Sequence, residues 1–128
     1  MTQEEIELVL IDICARLPYM PKIKITYQQQ GIKGTDEGRV SCDFIEKIVN
    51  DLRNGVITEM QIYLRPMSSM TEEEKELCNG GIICYNEFEG NSTLFDVEGL
   101  DYLNKNMLDY RGLIQRGLAL EIQKECII

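Results

Sequence analysis

Between Tyr63 and Glu76 the chain changes its hydrophobic period within one short run. Ile62 and Leu64 fall on one side of an alternating segment and Tyr63 on the other, so residues 56–64 read as extended. Pro66 ends that segment, because proline has no amide to give to a strand ladder. Thr71 and Glu74 then occupy the two positions of a capping box. Glu72, Glu73 and Glu74 lie where a helix dipole favours negative charge, and Asn79-Gly80-Gly81 closes the short helix. A strand that gives way at once to a capped helix commits the chain to mixed α and β structure.

The flanking segments carry equally physical signals. Thr2 and Glu5 form a second capping box, and Ile6, Val9, Leu10, Ile13, Cys14 and Leu17 recur at helical spacing. Leu8 and Ile11 widen that stripe, so a well-buried helix is expected over residues 2–17, stopped by Pro18. Ile23, Ile25 and Tyr27 alternate with Lys22, Lys24 and Thr26, the pattern of a half-buried strand. Gly31, Gly34 and Gly38 mark a polar turn region, and Val40, Cys42 and Phe44 supply the return strand of a long hairpin.

Residues 43–55 carry two readings. Asp43 and Glu46 would cap a helix bearing Ile45, Ile48, Val49 and Leu52, ended by Asn54-Gly55; alternatively the strand continues and Asn54-Gly55 is a hairpin turn. The β-branched residues favour the extended reading. Further on, Ile82–Tyr85 reads as a short strand and Asn86–Ser92 as a turn. Asp96 caps a helix to about Asn104, with Phe95 and Leu100 as its hydrophobic staple. Asp109 repeats the device with Leu108 and Leu113, Gly117 stops it, and Leu118–Ile122 forms a last strand. The expected fold is therefore one α+β domain over residues 1–128, with an N-terminal helix and short C-terminal helices packed on a small, mainly antiparallel sheet.

Composition excludes more than it assigns. The 128 residues contain no histidine, which removes Ser-His-Asp and Cys-His machinery and any imidazole base. Five cysteines, Cys14, Cys42, Cys78, Cys84 and Cys126, are odd in number and irregularly spaced, so they read as reduced thiols rather than a disulfide or zinc framework. No cofactor or metal is expected. The formal net charge of −9 opposes contact with nucleic-acid phosphates and anionic lipid, so direct nucleic-acid binding is disfavoured. No apolar run reaches the ~18 residues of a membrane span. Met1–Glu5 lacks the basic start of a secretory leader, which makes a cytoplasmic location the default expectation.

Three stretches carry a resemblance. They are Asp12-Ile13-Cys14-Ala15-Arg16-Leu17-Pro18-Tyr19, the run from Tyr63 to Glu76, and Asp101–Asn104 together with Asp109–Leu120. They are similar to a family of short hypothetical proteins from anaerobic gut bacteria, their prophages and mobile elements. Residues 28–60 fall outside the similarity. The resemblance implies a small accessory, regulatory or anti-defence protein, and brings no activity, cofactor or catalytic residue with it.

Two groups of side chains are candidate binding sites. Tyr63 and Arg65 with the hydroxyls of Ser68, Ser69 and Thr71 could hold an anion at the start of the acidic helix. Against this, Glu72–Glu74 already place negative charge there, and Arg65 has carboxylates near enough in sequence to pair with. Tyr110 and Arg111 are residue types enriched at binding hot spots, although Tyr110 would equally suit a packed turn. Glu98 and Asp101 share a helix face with Asp96 nearby, which reads as a solvated face rather than a cation site. The leading expectation is a non-enzymatic protein acting by protein–protein contact, with a basic partner favoured by the acidic stretch from Glu76 to Asp101. A homodimer is left open. The alternatives are a small-ligand or enzymatic protein using Tyr63, Arg65 and Ser68, and an acidic mimic of nucleic acid.

Overall fold

The structure is a computed structural model that describes residues 1–78, 82–86, 90–94 and 97–122. Helix α1 spans Gln3–Arg16 and starts as its sequence dictates: Glu5 N donates to Thr2 Oγ1 at 3.1 Å and Thr2 N to Glu5 Oε1 at 2.8 Å. Pro18 turns its end into a single 3₁₀ turn, Leu17–Tyr19. The buried face of α1 is Val9, Asp12, Ile13 and Arg16, a stripe that includes two charges. Cys14 and Ile11, both expected inside, are exposed. The stripe is rotated towards Asp12 and Arg16 because the helix buries an ion pair as well as aliphatic carbon.

Strand β1 (Lys22–Gln29) turns through Gln30 and Gly31 into β2 (Ile32–Arg39). Both turn residues have positive φ, 51° and 80°, the geometry of a two-residue hairpin that suits the strand twist. The return strand was expected at Val40, Cys42 and Phe44, and that expectation is corrected. The tight turn fixes the register, so pairing begins at Gln29–Ile32 and ends at Lys22–Arg39. The strand was illegible because its positions alternate between polar residues and the set Ile32, Gly34, Asp36 and Gly38, with glycine where a core side chain would stand. Gly34 makes room for Tyr27: a Cβ there would lie 2.5 Å from Tyr27 Oη, so the ring that covers this glycine would have to move.

Residues 43–55 also differ from the favoured extended reading. Ile45–Arg53 is helix α2, and its N-cap is Phe44, with no side-chain cap from Asp43. Each β-branched residue costs a helix roughly half a kcal/mol against alanine. Seating Ile45, Ile48 and Leu52 against the sheet recovers more, at up to about 1.5–3 kcal/mol for a fully buried aliphatic side chain. Gly55, at φ 73°, stops the helix.

Strand β3 (Ile57–Leu64) lies beside β1 and is antiparallel to it. Thr26 pairs with Glu59 but Tyr27 with Ile57, so Thr58 is an extra residue in β3. This bulge returns Ile57 to the side that buries Met60, Ile62 and Leu64. Helix α3 (Glu72–Leu77) has the expected Thr71–Glu74 capping box. Strands β4 (Ile82–Asn86) and β5 (Gly90–Leu94) pair antiparallel, so Gly90–Ser92, expected in a turn, are strand. Helix α4 covers Val97–Lys105. Its expected cap Asp96 and staple residue Phe95 lie outside the described residues.

Asp109 caps a different structure from the one expected. Its carboxylate accepts from Leu113 N at 2.8 Å and Ile114 N at 2.9 Å, but residues 110–117 form successive turns, not a helix. Gly112 and Gly117, at φ 72° and 75°, break the helical path. Strand β6 (Ala119–Glu121) then joins β3 in parallel, giving the order β2-β1-β3-β6. The molecule is thus an α+β domain with a four-stranded mixed sheet. Helices α1 and α2 cover one sheet face, with Val9, Ile13, Ile23, Met60, Ile62 and Leu64 in the main core. Cys78, Leu103 and Leu108 form a second cluster. No described helix is long and apolar enough to cross a membrane.

Candidate functional site

Arg65 follows β3 directly and is held in place by its backbone. Its N donates to Met107 O at 2.7 Å and its carbonyl accepts from Asp109 N at 2.8 Å. Pro66 and the turn Met67–Ser69 bring the chain round so that α3 returns Glu74 to Arg65. The guanidinium meets the carboxylate with two parallel bonds, Nη1 to Oε2 at 3.0 Å and Nη2 to Oε1 at 2.9 Å. Nε donates to Ser69 Oγ at 3.2 Å, and Tyr102 Oη donates to Glu74 Oε2 at 3.0 Å. Arg65 is fully buried. The Arg65 guanidinium holds the Glu74 carboxyl well below the usual carboxylate range. Burial, and then the bond to Glu74, pushes Tyr102 up to about 12.

This geometry divides the first candidate group. Arg65 and Ser69 are joined inside the Glu74 network, and Ser68 is exposed and takes no part in it. Tyr63 lies on the open face of the sheet, where Oη donates to Glu37 Oε1 at 2.6 Å and Lys22 Nζ stands 4.9 Å from the ring centroid. The hydrogen bond to Glu37, with some burial, raises the Tyr63 hydroxyl to about 12. An anion approaching Arg65 would have to displace Glu74 from a bidentate pair.

Tyr110 and Arg111 do come together, around an acid that sequence reasoning missed. Asp12 is fully buried and accepts from Arg16 Nε and Nη2, each at 3.0 Å, and from Arg111 Nη1. Arg16 also donates to Leu108 O at 2.7 Å and Leu103 O at 3.2 Å, tying α1 to the chain after α4. The Tyr110 ring faces both guanidiniums, 5.2 Å from Arg16 Cζ and 4.5 Å from Arg111 Cζ, and its hydroxyl donates to Asn104. Asp12 and Arg16 sit four residues apart on the same helical stripe as Val9 and Ile13, which is the signal that could have found them. Among the described residues no buried side-chain nitrogen or oxygen lacks a hydrogen-bond partner, and no three acidic or cysteine side chains converge as a metal site.

An open feature lies elsewhere, along β2. Strand β2 is the outer strand of the sheet, paired only through β1. Val40 N donates to Pro21 O at 2.9 Å, and Gln28 N turns the other way to Val56 O at 2.8 Å. Alternation from these two bonds sends the backbone groups of Ile32, Gly34, Asp36 and Gly38 inward to β1. Those of Lys33, Thr35, Glu37 and Arg39 therefore face out of the sheet. Beside this edge, between β2 and α2, runs a groove of about 300 Å³. Ile23, Ile25, Val40, Ile48 and Ile57 give it an apolar floor, and Asp36, Lys47 and Asp51 edge it with charge. Gly38 lines it, and a Cβ there would meet nothing within 4 Å.

No family model matches the chain, nor does any curated protein or solved structure.

Proposed function

We propose that the chain is a non-enzymatic interaction module that works by adding an extended strand of another polypeptide to β2. One observation carries this reading. The arginines and tyrosines that could have served a reaction are engaged in internal pairs, while β2 presents an outward row of backbone donors and acceptors above an apolar groove. Strand addition uses such an edge for affinity and the neighbouring pockets for specificity. The acidic side chains Asp36, Glu37 and Asp51 favour an added strand with a basic residue.

The test is Thr35→Pro. The Thr35 amide faces away from β1, so proline removes an edge donor and leaves the β1–β2 ladder intact. In native lysate followed by immunoblot, wild-type chain is expected to elute above its 14.7 kDa monomer mass and Thr35→Pro at that mass. Equal complexes with both proteins would overturn the reading.

A further inference from the structure

We infer that the strand added to β2 is β2 of a second copy, giving a two-fold dimer with one continuous eight-stranded sheet. This rests on the strand-addition reading and names its occupant. Strand register selects this occupant. An antiparallel β2–β2 pair must join outward-facing residues to each other, so only Lys33, Thr35, Glu37 and Arg39 can share ladder bonds. A two-fold axis at Thr35 places Lys33 of each copy opposite Glu37 of the other, twice, with threonine opposite threonine at the centre. Moving the axis to Asp36 sets aspartate against aspartate and Lys33 against Arg39. Moving it to Glu37 sets glutamate against glutamate. Both of those registers oppose like charges, and moving the axis back to Gly34 loses the Lys33–Glu37 pairs.

The groove supports the same register independently of charge. With the axis at Thr35, Ile32 of one copy stands opposite Gly38 of the other, and both point to the face that α2 covers. Ile32 is 68% exposed in the single chain, an aliphatic side chain with no cover. Gly38 lines the groove with Ile23 and Ile25, and a Cβ there would meet nothing within 4 Å, so the space above it is open. Each copy therefore offers one knob and one hole, related by the axis that pairs the charges. The same axis places Asp36 of one copy opposite Gly34 of the other, beside the Tyr27 hydroxyl that lies over that glycine. The Glu37 amide, bonded to Asp36 Oδ1 at 3.0 Å in the single chain, exchanges that local acceptor for Lys33 O of the second copy. A self-complementary patch of this kind is what a two-fold interface requires.

The experiment is sedimentation velocity on purified full-length chain across a range of concentrations. Wild type is expected to sediment as a dimer of the 14.7 kDa chain. Lys33→Glu and Glu37→Lys each turn two attractive cross-strand pairs into two repulsive ones and should raise the dimer Kd by about tenfold or more. The double variant Lys33→Glu/Glu37→Lys restores opposite charges and should return the Kd to about the wild-type value. Gly38→Leu fills the hole and should also weaken the dimer, with its circular dichroism spectrum unchanged. A wild-type chain that stays monomeric overturns the inference, as does a double variant no tighter than the single ones. A purified wild-type monomer whose larger complex in lysate is lost with Thr35→Pro would remove the second copy and keep the strand-addition reading. Complexes indifferent to Thr35→Pro in both settings would remove both.

Discussion

Replacing Arg65 by leucine tests the buried network at its centre. Arg65 is 0% exposed and Glu74 is 3% exposed, so the substitution leaves a carboxylate inside the protein with its main partner gone. Breaking a buried pair from one side costs about 3–5 kcal/mol. Glu74 keeps the Tyr102 hydroxyl and the Thr71 amide, which places the expected loss near the lower end, about 3 kcal/mol. A domain of this size holds about 5–15 kcal/mol in total, so the variant should remain folded but weakened. With a urea slope of about 2 kcal/mol per molar, the midpoint should fall by roughly 1.5 M. Glu74→Leu should cost a similar amount, because it strands the guanidinium. The double variant Arg65→Leu/Glu74→Leu removes both charges together and should lie within about 1.5 kcal/mol of wild type. A loss below about 1 kcal/mol for Arg65→Leu, or a double variant equal to the sum of the singles, would refute the claim that this pair is a desolvated, mutually dependent unit.

Three further outcomes follow from the same structure. Asp12→Ala should destabilise by about 3–5 kcal/mol in urea unfolding, because it leaves buried Arg16 without its acid, whereas Arg111→Ala should cost about 1 kcal/mol, since that side chain is 27% exposed. Glu74 has a folded pKa depressed from 4.5, so its contribution is full above pH 4.5 and drains away as the pH falls; between pH 4.5 and 2 wild type should lose more stability than Arg65→Leu/Glu74→Leu. In an alkaline ultraviolet titration, Tyr63→Phe and Tyr102→Phe should each remove one phenol from the part of the curve near pH 12.

The sequence was legible where a local rule had no competitor. Both capping boxes, the α1 stop at Pro18, the β1 alternation and the inward set Ile62 and Leu64 were all readable, and together they gave the α+β class. It was illegible where packing decided. The α2 segment is rich in β-branched residues, and only the sheet surface that Ile45, Ile48 and Leu52 find makes it a helix. β2 has glycine and aspartate at its inward positions, so it has no hydrophobic period, and its place is set by the two-residue turn and by the Tyr27 ring over Gly34. Asp109 was read as the N-cap of a helix, but Gly112 and Gly117 break the helical path, and its carboxylate instead accepts from Leu113 N and Ile114 N across a series of turns. Site reasoning met the same limit. Arg65 with a nearby carboxylate was one of two readings, and the choice depended on α3 folding back to bring Glu74 within 2.9 Å. Asp12 and Arg16 were hidden by the habit of reading only apolar residues into a buried stripe.

The central claim is that β2 is the binding edge, and amide hydrogen exchange measures it residue by residue. Under conditions where the chain associates, the amides of Lys33, Thr35 and Glu37 should slow markedly, while those of Gly34, Asp36 and Gly38, already bonded to β1, should change little. Association that leaves the amides of Lys33, Thr35 and Glu37 exchanging as they do in the single chain would contradict the account and move the interface to another surface.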